Sequence, residues 1–307
     1  MVDTRASRRH VNGILLLDKP LGLSSNKALQ IAKAIYRAKK AGHTGSLDPL
    51  ASGMLPICFG EATKVSAFLL DADKEYVTEA ALGVVTESGD REGDVVSQRP
   101  VPPLDRAEVL RTLTQFTGDI QQIPPMHSAL KKDGKPLYRL ARKGVEVTRE
   151  PRQVRIMDLQ LLEQTPTTLR LRVRCSKGTY IRTLVEDIGE SLGCGAHVSY
   201  LARTAVTPFA EHSTITLDAL QAVKDNTPEQ LLSLLLPIDV ALTGFTRVDL
   251  HAAQGEAFCA GRLVDLASYP NLPSGPMVRV YAHSGQFLGL GQITAVQALQ
   301  PKKVFNL

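Results

Sequence analysis

The sequence predicts an α+β fold with one large, mixed and mostly antiparallel sheet, followed by a small C-terminal β-barrel. Strand-like alternation and helical spacing follow one another without the regular repeat of a βαβ protein. The chain has 307 residues, of which 43% are hydrophobic and 22% charged. That composition is typical of a soluble globular protein, and the length is sufficient for two domains.

Hydrophobic spacing gives the elements of the N-terminal half. Ile14–Leu17 is a short apolar run that predicts a buried strand. Ser24 or Ser25 can cap the helix that follows, in which apolar residues fall at i, i+3, i+4 and i+7. The further elements predicted in this half are a strand at Met54–Phe59, a strand at Glu75–Leu82 and an amphipathic helix at Leu104–Phe116.

The C-terminal half begins with the clearest strand of the chain. In Thr167–Cys175 leucine and valine alternate with arginine, which predicts one buried and one exposed face. Tyr180–Leu192 then changes to helical spacing. After a linker at Leu242–Thr246, short strand-like runs at Met277–Ala282 and Gln286–Ile293 predict the small β-barrel. We therefore divide the chain into domains at 13–245 and 246–307.

Basic charge is concentrated in two segments. The chain has a net charge of +5, whereas residues 1–40 alone carry +7 and residues 124–155 carry +6. We interpret residues 1–12 as a flexible basic N-terminal arm. Residues 124–152 are predicted to be a basic, RNA-clamping insertion with a short helix near Leu137–Lys143. Charge alone is equally compatible with plain solvated surface.

The four cysteines favour a reducing compartment. Cys58, Cys175, Cys194 and Cys259 form no C-x-x-C pair, and only Cys194 has a histidine close by in sequence, His197. We therefore expect free thiols, no bound metal and a cytoplasmic protein. The sequence contains neither a nucleotide-binding glycine loop nor an apolar run of membrane-spanning length, so we expect no cofactor and no membrane contact.

One loop contains the most informative candidate for a reactive side chain. Residues 42–53 read GHTGSLDPLASG, which places a single carboxylate, Asp48, among three glycines and before Pro49. Proline restricts the backbone of the residue before it, and hydroxyl side chains can bond to the loop backbone. A carboxylate held in this way suits a catalytic site. An ordinary Asx-Pro turn is the alternative interpretation.

This loop resembles the catalytic loop of the TruB family of pseudouridine synthases, G-H-x-G-[ST]-L-D-P-x-A-[ST]-G, without a mismatch. Four further motifs follow the family in order over about two thirds of the chain. They are GILLLDKP from Gly13, GEATK from Gly60, KEY from Lys74 and CSKGTYIR from Cys175.

The resemblance implies that the chain isomerises uridine to pseudouridine without a cofactor, and that Asp48 is the catalytic nucleophile. The implied substrate is uridine-55 in the T-arm of tRNA, and residues 246–307 would be a PUA-like RNA-binding domain. The resemblance also assigns His43, Tyr76, Tyr180 and Leu201 to the substrate, with His43 filling the gap left by a flipped base. The residues implied to have supporting roles are Arg182, Lys64, Asp90 and Lys19.

Two other functions stay open at this point. An RNA-directed glycosidase would also use Asp48, although such enzymes usually need two carboxylates within reach of the bond. A non-catalytic RNA-binding or RNA-folding module would use the same basic segments. The residues do not distinguish attack at C1′, attack at C6 or elimination to a glycal. We expect a monomer, because no exposed heptad or long apolar edge is present.

Overall fold

The fold is that of a computed structural model, which describes residues 7–307 except 129, 133, 142, 146 and 267–273. Its α-helices are α1 Ser25–Ile35, α2 Ser66–Asp71, α3 Arg106–Gln115, α4 Leu137–Ala141, α5 Ile181–Ser191, α6 Leu217–Asn226 and α7 Ala252–Cys259. Short 3₁₀ helices occupy Gly60–Val65, Pro228–Leu234 and Ile238–Leu242.

The strands are numbered in chain order. They are β1 Gly13–Lys19, β2 Ala41–His43, β3 Ala51–Phe59, β4 Lys74–Leu82, β5 Val84–Thr86, β6 Val95–Gln98, β7 Gly118–Gln122, β8 Lys131–Lys132, β9 Lys135–Pro136, β10 Arg152–Gln164, β11 Thr168–Cys175, β12 Ala196–Val206, β13 Ile215–Thr216, β14 Thr246–Leu250, β15 Val264–Asp265, β16 Met277–Ala282, β17 Phe287–Ile293 and β18 Ala298–Val304.

Nine strands form the large sheet, in the order β13-β1-β3-β12-β4-β11-β10-β7 with β2 added on β3. Most neighbours are antiparallel, whereas β1–β13 and β3–β12 are parallel. The predicted α+β class with a mixed, mostly antiparallel sheet is therefore confirmed.

The strands predicted from apolar patterns are present at the expected positions. Two long strands, β10 and β12, were not predicted. β10 and β12 each pair with register shifts, between Ile156 and Asp158 in β10 and between Val198 and Tyr200 in β12. A bulge adds one residue and moves the following side chains to the other face. The period of two is therefore lost in the sequence of these strands.

Strand β1 separates two hydrophobic clusters. Leu15 and Leu17 belong to the main cluster, which also contains the buried faces of α1 and α5. Ile14 and Leu16 belong to a second cluster on the opposite face. Because successive side chains of a strand point to opposite faces, β1 is buried on both sides.

The C-terminal sheet has the order β14-β16-β17-β18-β15 and forms a half-barrel within the described residues. This confirms the small β-domain. It shares the second hydrophobic cluster with the large sheet, since Tyr281, Phe287 and Phe305 pack in the same cluster as Ile14 of β1. The domain boundary at residue 245 stays a prediction.

The two basic segments are described in part. Residues 1–6 of the predicted N-terminal arm lie outside the described residues. In the remainder, the Arg9 amide donates to Arg37 O at 2.9 Å and Val11 is buried. The predicted insertion contains the β8–β9 hairpin and α4, close to the short helix expected there.

Candidate active site

The loop that carries Asp48 is tied down on both sides. Ser25, at the start of α1, accepts a hydrogen bond from Leu47 N at 2.7 Å and donates one to Leu47 O at 2.9 Å. The Gly22 amide donates to Pro49 O at 2.8 Å. Residue 47 precedes the carboxylate directly, so these bonds fix the direction in which Asp48 leaves the backbone.

Glycine is required where the loop joins β3. Gly53 has a φ of +99°, and a Cβ there would lie 2.2 Å from the carbonyl oxygen of Arg203. No side chain can be accommodated at that distance, and L-residues avoid this φ. The close approach allows β12 to pair in parallel with β3 directly behind the loop.

Asp48 forms an ion pair with Arg182. Arg182 lies in the first turn of α5, and its Nη2 is 3.0 Å from Asp48 Oδ2. The guanidinium also donates to Ser88 O at 2.9 Å and His127 O at 2.7 Å, and it lies 3.4 Å from Asp90 Oδ2. These contacts hold a single arginine rotamer, which in turn aims the carboxylate.

The ion pair has one buried and one accessible partner. The Arg182 side chain is 6% exposed and that of Asp48 is 43% exposed. Burial raises the pKa of Asp48 above its ordinary value of 3.8, and Arg182 is the strongest influence in the opposite direction. A carboxylate with a raised pKa is a stronger nucleophile and base than a solvated one, provided that it is ionised.

Asp48 and Arg182 lie in the wall of a cavity of about 410 Å³. The cavity is also lined by Tyr76 from β4, Tyr180 from the N-terminus of α5 and Leu201 from β12. Burial raises the pKa of both tyrosines, which are therefore neutral phenols at pH 7. Two aromatic rings and a leucine around a carboxylate suit a flat, partly apolar ligand such as a nucleobase.

A second cavity, of about 620 Å³, opens on the other side of Asp48. His43 and Asp90 line it, and it shares Asp48 and Arg182 with the first cavity. Burial lowers the pKa of His43, so the ring is neutral. Its Nδ1 has no hydrogen-bond partner within the described part of the chain. A neutral imidazole at this mouth suits stacking better than proton transfer.

Lys19 and Lys64 lie apart from the first cavity. The Lys19 ammonium is buried and donates to Pro20 O at 2.8 Å and Leu23 O at 2.7 Å, and its charge lowers the pKa of Asp48 from a distance. The Lys64 ammonium donates to Glu61 at 2.5 Å and to Val304 O at 2.7 Å. Lys64 therefore contacts strand β18 of the C-terminal sheet, and its predicted supporting role stays a prediction.

Three further observations concern metal ligands, membrane helices and thiols. Within the described residues no group of three or more His, Cys, Asp or Glu side chains is arranged to hold a metal ion. No described helix is long and apolar enough to cross a membrane. All four thiols are free, and Cys259 is the exposed one.

Comparison with known proteins identifies the family. Three family models match consecutive parts of the chain: a TruB family pseudouridylate synthase N-terminal domain at residues 33–181, a tRNA pseudouridylate synthase B C-terminal domain at 182–243, and a pseudouridine synthase II TruB C-terminal domain at 246–305. The chain belongs to the TruB family of pseudouridine synthases. It is thus an isomerase, and the resemblance carried by the five motifs is confirmed.

TruB relatives match over more than nine tenths of the chain. The chain is 49% identical to tRNA pseudouridine synthase B of Pseudomonas fluorescens, with 100% of this chain and 99% of the relative covered. It is 52% identical to tRNA pseudouridine synthase B of Burkholderia mallei, with 94% and 92% covered.

Solved structures share the fold. A Cbf5-Nop10-Gar1 complex matches with a TM-score of 0.72 and 29% identity, over 96% of this chain and 85% of that one. An H/ACA RNP bound to a substrate RNA containing 2′-deoxyuridine matches with a TM-score of 0.71 and 27% identity, over the same 96% of this chain and 85% of that one.

The structure also brings to the site residues whose role there was not predicted from the sequence. Arg203 lines the first cavity, and sequence analysis did not single it out. Ser25 was predicted as a possible helix cap and as part of the opening TruB motif, whereas in the structure Ser24 is the cap and Ser25 binds the loop. The Gln122 side chain exchanges two hydrogen bonds with the Tyr180 backbone. Polar side chains with such roles have no sequence signal when their partners are distant in the chain.

Proposed function

We propose that this enzyme isomerises uridine-55 in the T-arm of tRNA to pseudouridine, with Asp48 as the nucleophile. The observation that carries the proposal is the ion pair between Asp48 and the buried Arg182 at a cavity lined by Tyr76. Full-length relatives named tRNA pseudouridine synthase B support tRNA as the substrate. The enzyme needs no redox partner, because substrate and product are isomers.

The uridine has to leave its stack to reach Asp48. Flipping a base out costs roughly a few kcal/mol. In our proposal the flipped uracil lies against the Tyr76 ring, with Tyr180 and Leu201 on its other sides, while His43 stacks in the vacated space. These contacts offset the cost of unstacking and place C1′ beside the carboxylate.

The chemistry then exchanges one bond for another. The bond between N1 and C1′ breaks, the uracil turns within the cavity, and a bond between C5 and C1′ forms. C5 loses its proton, and N1 gains one. Asp48 supplies the nucleophilic electron pair and is released at the end, and Arg182 keeps it ionised and aimed.

Recognition of the rest of the tRNA is assigned to the basic insertion at 124–152 and to the PUA-like C-terminal domain. RNA is usually recognised by folded shape and backbone contacts, and the positive charge of the insertion suits such contacts. We further propose that the enzyme acts as a monomer in the cytoplasm.

Release of tritium from C5 tests the proposal. A tRNA transcript with tritium at C5 of its uridines is incubated with wild type, with Asp48→Asn and with Asp225→Asn, a matched control on α6 that lines neither cavity. We expect release by wild type and Asp225→Asn only. A transcript with cytidine at position 55 should give no release, and release from it would exclude uridine-55 as the only target.

The same reaction separates the two other functions. Free uracil among the products would indicate a glycosidase, whereas tight binding without release would indicate a binding module. The structure does not favour the glycosidase. Asp90 is the acid that shares Arg182 with Asp48, but its side chain is only 4% exposed and is held by Arg182 and by Ser88 Oγ at 2.6 Å. A carboxyl group held in this way is not available to protonate a leaving group.

A further inference from the structure

Arg203 is a second buried arginine in the wall of the first cavity. It lies on β12, where its cross-strand neighbour on β4 is Tyr76 and its neighbour on β3 is Gly53. The residue is 1% exposed, so its charge is almost entirely withdrawn from water. Burying an arginine is costly unless its donors are satisfied by well-placed partners.

The partners of Arg203 are the catalytic loop and Tyr76. Its Nε donates to Met54 O at 2.7 Å and its Nη2 to Gly45 O at 3.0 Å. Arg203 and Tyr76 are cross-strand neighbours that both line the first cavity, and the charge of Arg203 opposes the burial that raises the pKa of Tyr76. No carboxylate of the described residues lies within 4.0 Å of it. Arg203 thus binds the backbone of the loop that carries Asp48 and lies beside the ring on which the base would lie.

We propose that Arg203 is a positioning residue that fixes the Tyr76 hydroxyl in the cavity and joins it to the loop that carries Asp48. This inference rests on the proposed contact between Tyr76 and the uracil. A guanidinium can only donate, so it occupies a lone pair of the phenol oxygen. The phenol hydrogen is then directed away from Arg203, toward the base.

The two buried arginines divide the site between them. Arg182 holds the carboxylate, and Arg203 holds the aromatic ring and the backbone of the loop. Removing the Arg203 side chain should let Tyr76 and Asp48 move relative to each other while the RNA-binding surface stays intact. The effect is therefore expected in the rate of the bound complex and not in the affinity.

A double-mutant cycle tests the inference. The variants are Arg203→Met, Arg203→Lys, Tyr76→Phe and the double variants, with Arg174→Met as a control that removes an exposed arginine from the same sheet. Each variant is assayed for tRNA affinity and for the single-turnover rate of tritium release. Two groups that act as one unit give non-additive losses of rate, whereas independent groups give additive ones.

We expect Arg203→Met to lower the single-turnover rate about 100-fold, the usual order for a misplacement of about 1 Å, with affinity within about 3-fold of wild type. In the Tyr76→Phe background the same change should cost less than about 3-fold. Arg203→Lys should recover part of the rate, because lysine keeps the charge but reaches fewer partners. Arg174→Met should match wild type.

Additive losses of rate in the cycle would overturn the inference, as would an effect confined to affinity. If Arg203→Met does not fold, the cycle with Arg203→Lys gives the same decision. If Tyr76→Phe alone leaves the rate unchanged, the Tyr76 hydroxyl has no part in the reaction and the proposed role of Arg203 is wrong. The assignment of Asp48 is tested separately by its own variant.

Discussion

Ser25 Oγ hydrogen-bonds to both polar backbone atoms of Leu47, at 2.7 Å from the nitrogen and 2.9 Å from the oxygen. The contact joins the first residue of α1 to the residue directly before Asp48. The Ser25 hydroxyl and both Leu47 backbone atoms are buried, so water cannot replace these hydrogen bonds unless the structure rearranges. The orientation of Asp48, the proposed nucleophile, therefore depends on a serine 23 positions earlier in the sequence.

We predict that Ser25→Ala lowers the single-turnover rate about 10-fold or more and the free energy of unfolding by about 1–3 kcal/mol, the cost of leaving buried polar groups unpaired. The matched control is Ser24→Ala. Ser24 caps the same helix through Lys27 N, and its removal should cost about 1 kcal/mol of stability without slowing the reaction. Equal slowing by both variants would contradict this assignment.

The acid limb of the pH–rate profile should report Asp48. Only the carboxylate is a nucleophile, so the rate should fall as pH falls through the pKa of Asp48, which burial raises. Arg182 lowers that pKa, so Arg182→Met should move the acid limb to higher pH, and Arg182→Lys should move it less. Single-turnover rates at a series of pH values measure this. An acid limb at the same pH in all three proteins would show that another group controls it.

Glu186 on α5 should make stability depend on pH. Burial is the main cause that raises its pKa from 4.5 to about 7, and the charge of Asp187 adds to it. The folded state therefore binds this proton more tightly than the unfolded state, and stability is lost as pH rises from about 4.5 through 7. Glu186→Gln should raise the free energy of unfolding by on the order of 2 kcal/mol at pH 8 and hardly at all at pH 4.5. Denaturant unfolding at both pH values measures it.

Glu190 provides a control of opposite sign on the same helix. Its bond to Arg99 lowers its pKa, so Glu190→Gln should slightly destabilise the protein at pH 8. Its side chain is 54% exposed, which keeps the effect small. If both substitutions change stability in the same direction, the helix and not the charge is responsible.

Neutralising the basic insertion should weaken tRNA binding and flatten its salt dependence. The slope of log K against log salt falls by roughly one for each phosphate that the protein no longer neutralises. Titrations at several salt concentrations measure it, and an unchanged slope would place the RNA elsewhere. Residues 133 and 142 of this segment lie outside the described residues, so the prediction rests on sequence. The positions to be changed are Lys131, Lys132, Lys135, Arg139, Arg142 and Lys143.

The sequence was sufficient to predict those helices, strands and site residues whose pattern lies within a short stretch of chain. The apolar face of α1, the alternation of β11 and the framed carboxylate of Asp48 all depend on neighbours close in the chain. Arg203 could not be found in this way. It lies in β12, whose bulges disrupt the alternation, and its partners lie about 125 to 160 residues earlier. Lys64 is the opposite case: it belongs to a sequence motif, yet its ammonium donates a hydrogen bond to strand β18, which the motif could not predict.

The double burial of β1 has a consequence for attempts to divide the enzyme. Cutting the chain after residue 245 would remove the residues that pack on Ile14 and Leu16 and would expose a hydrophobic surface on the catalytic fragment. That fragment should aggregate, and the intact protein should melt in one transition, because the two parts share one hydrophobic cluster in addition to their own. The C-terminal sheet is therefore a structural wall of the enzyme as well as a candidate surface for RNA.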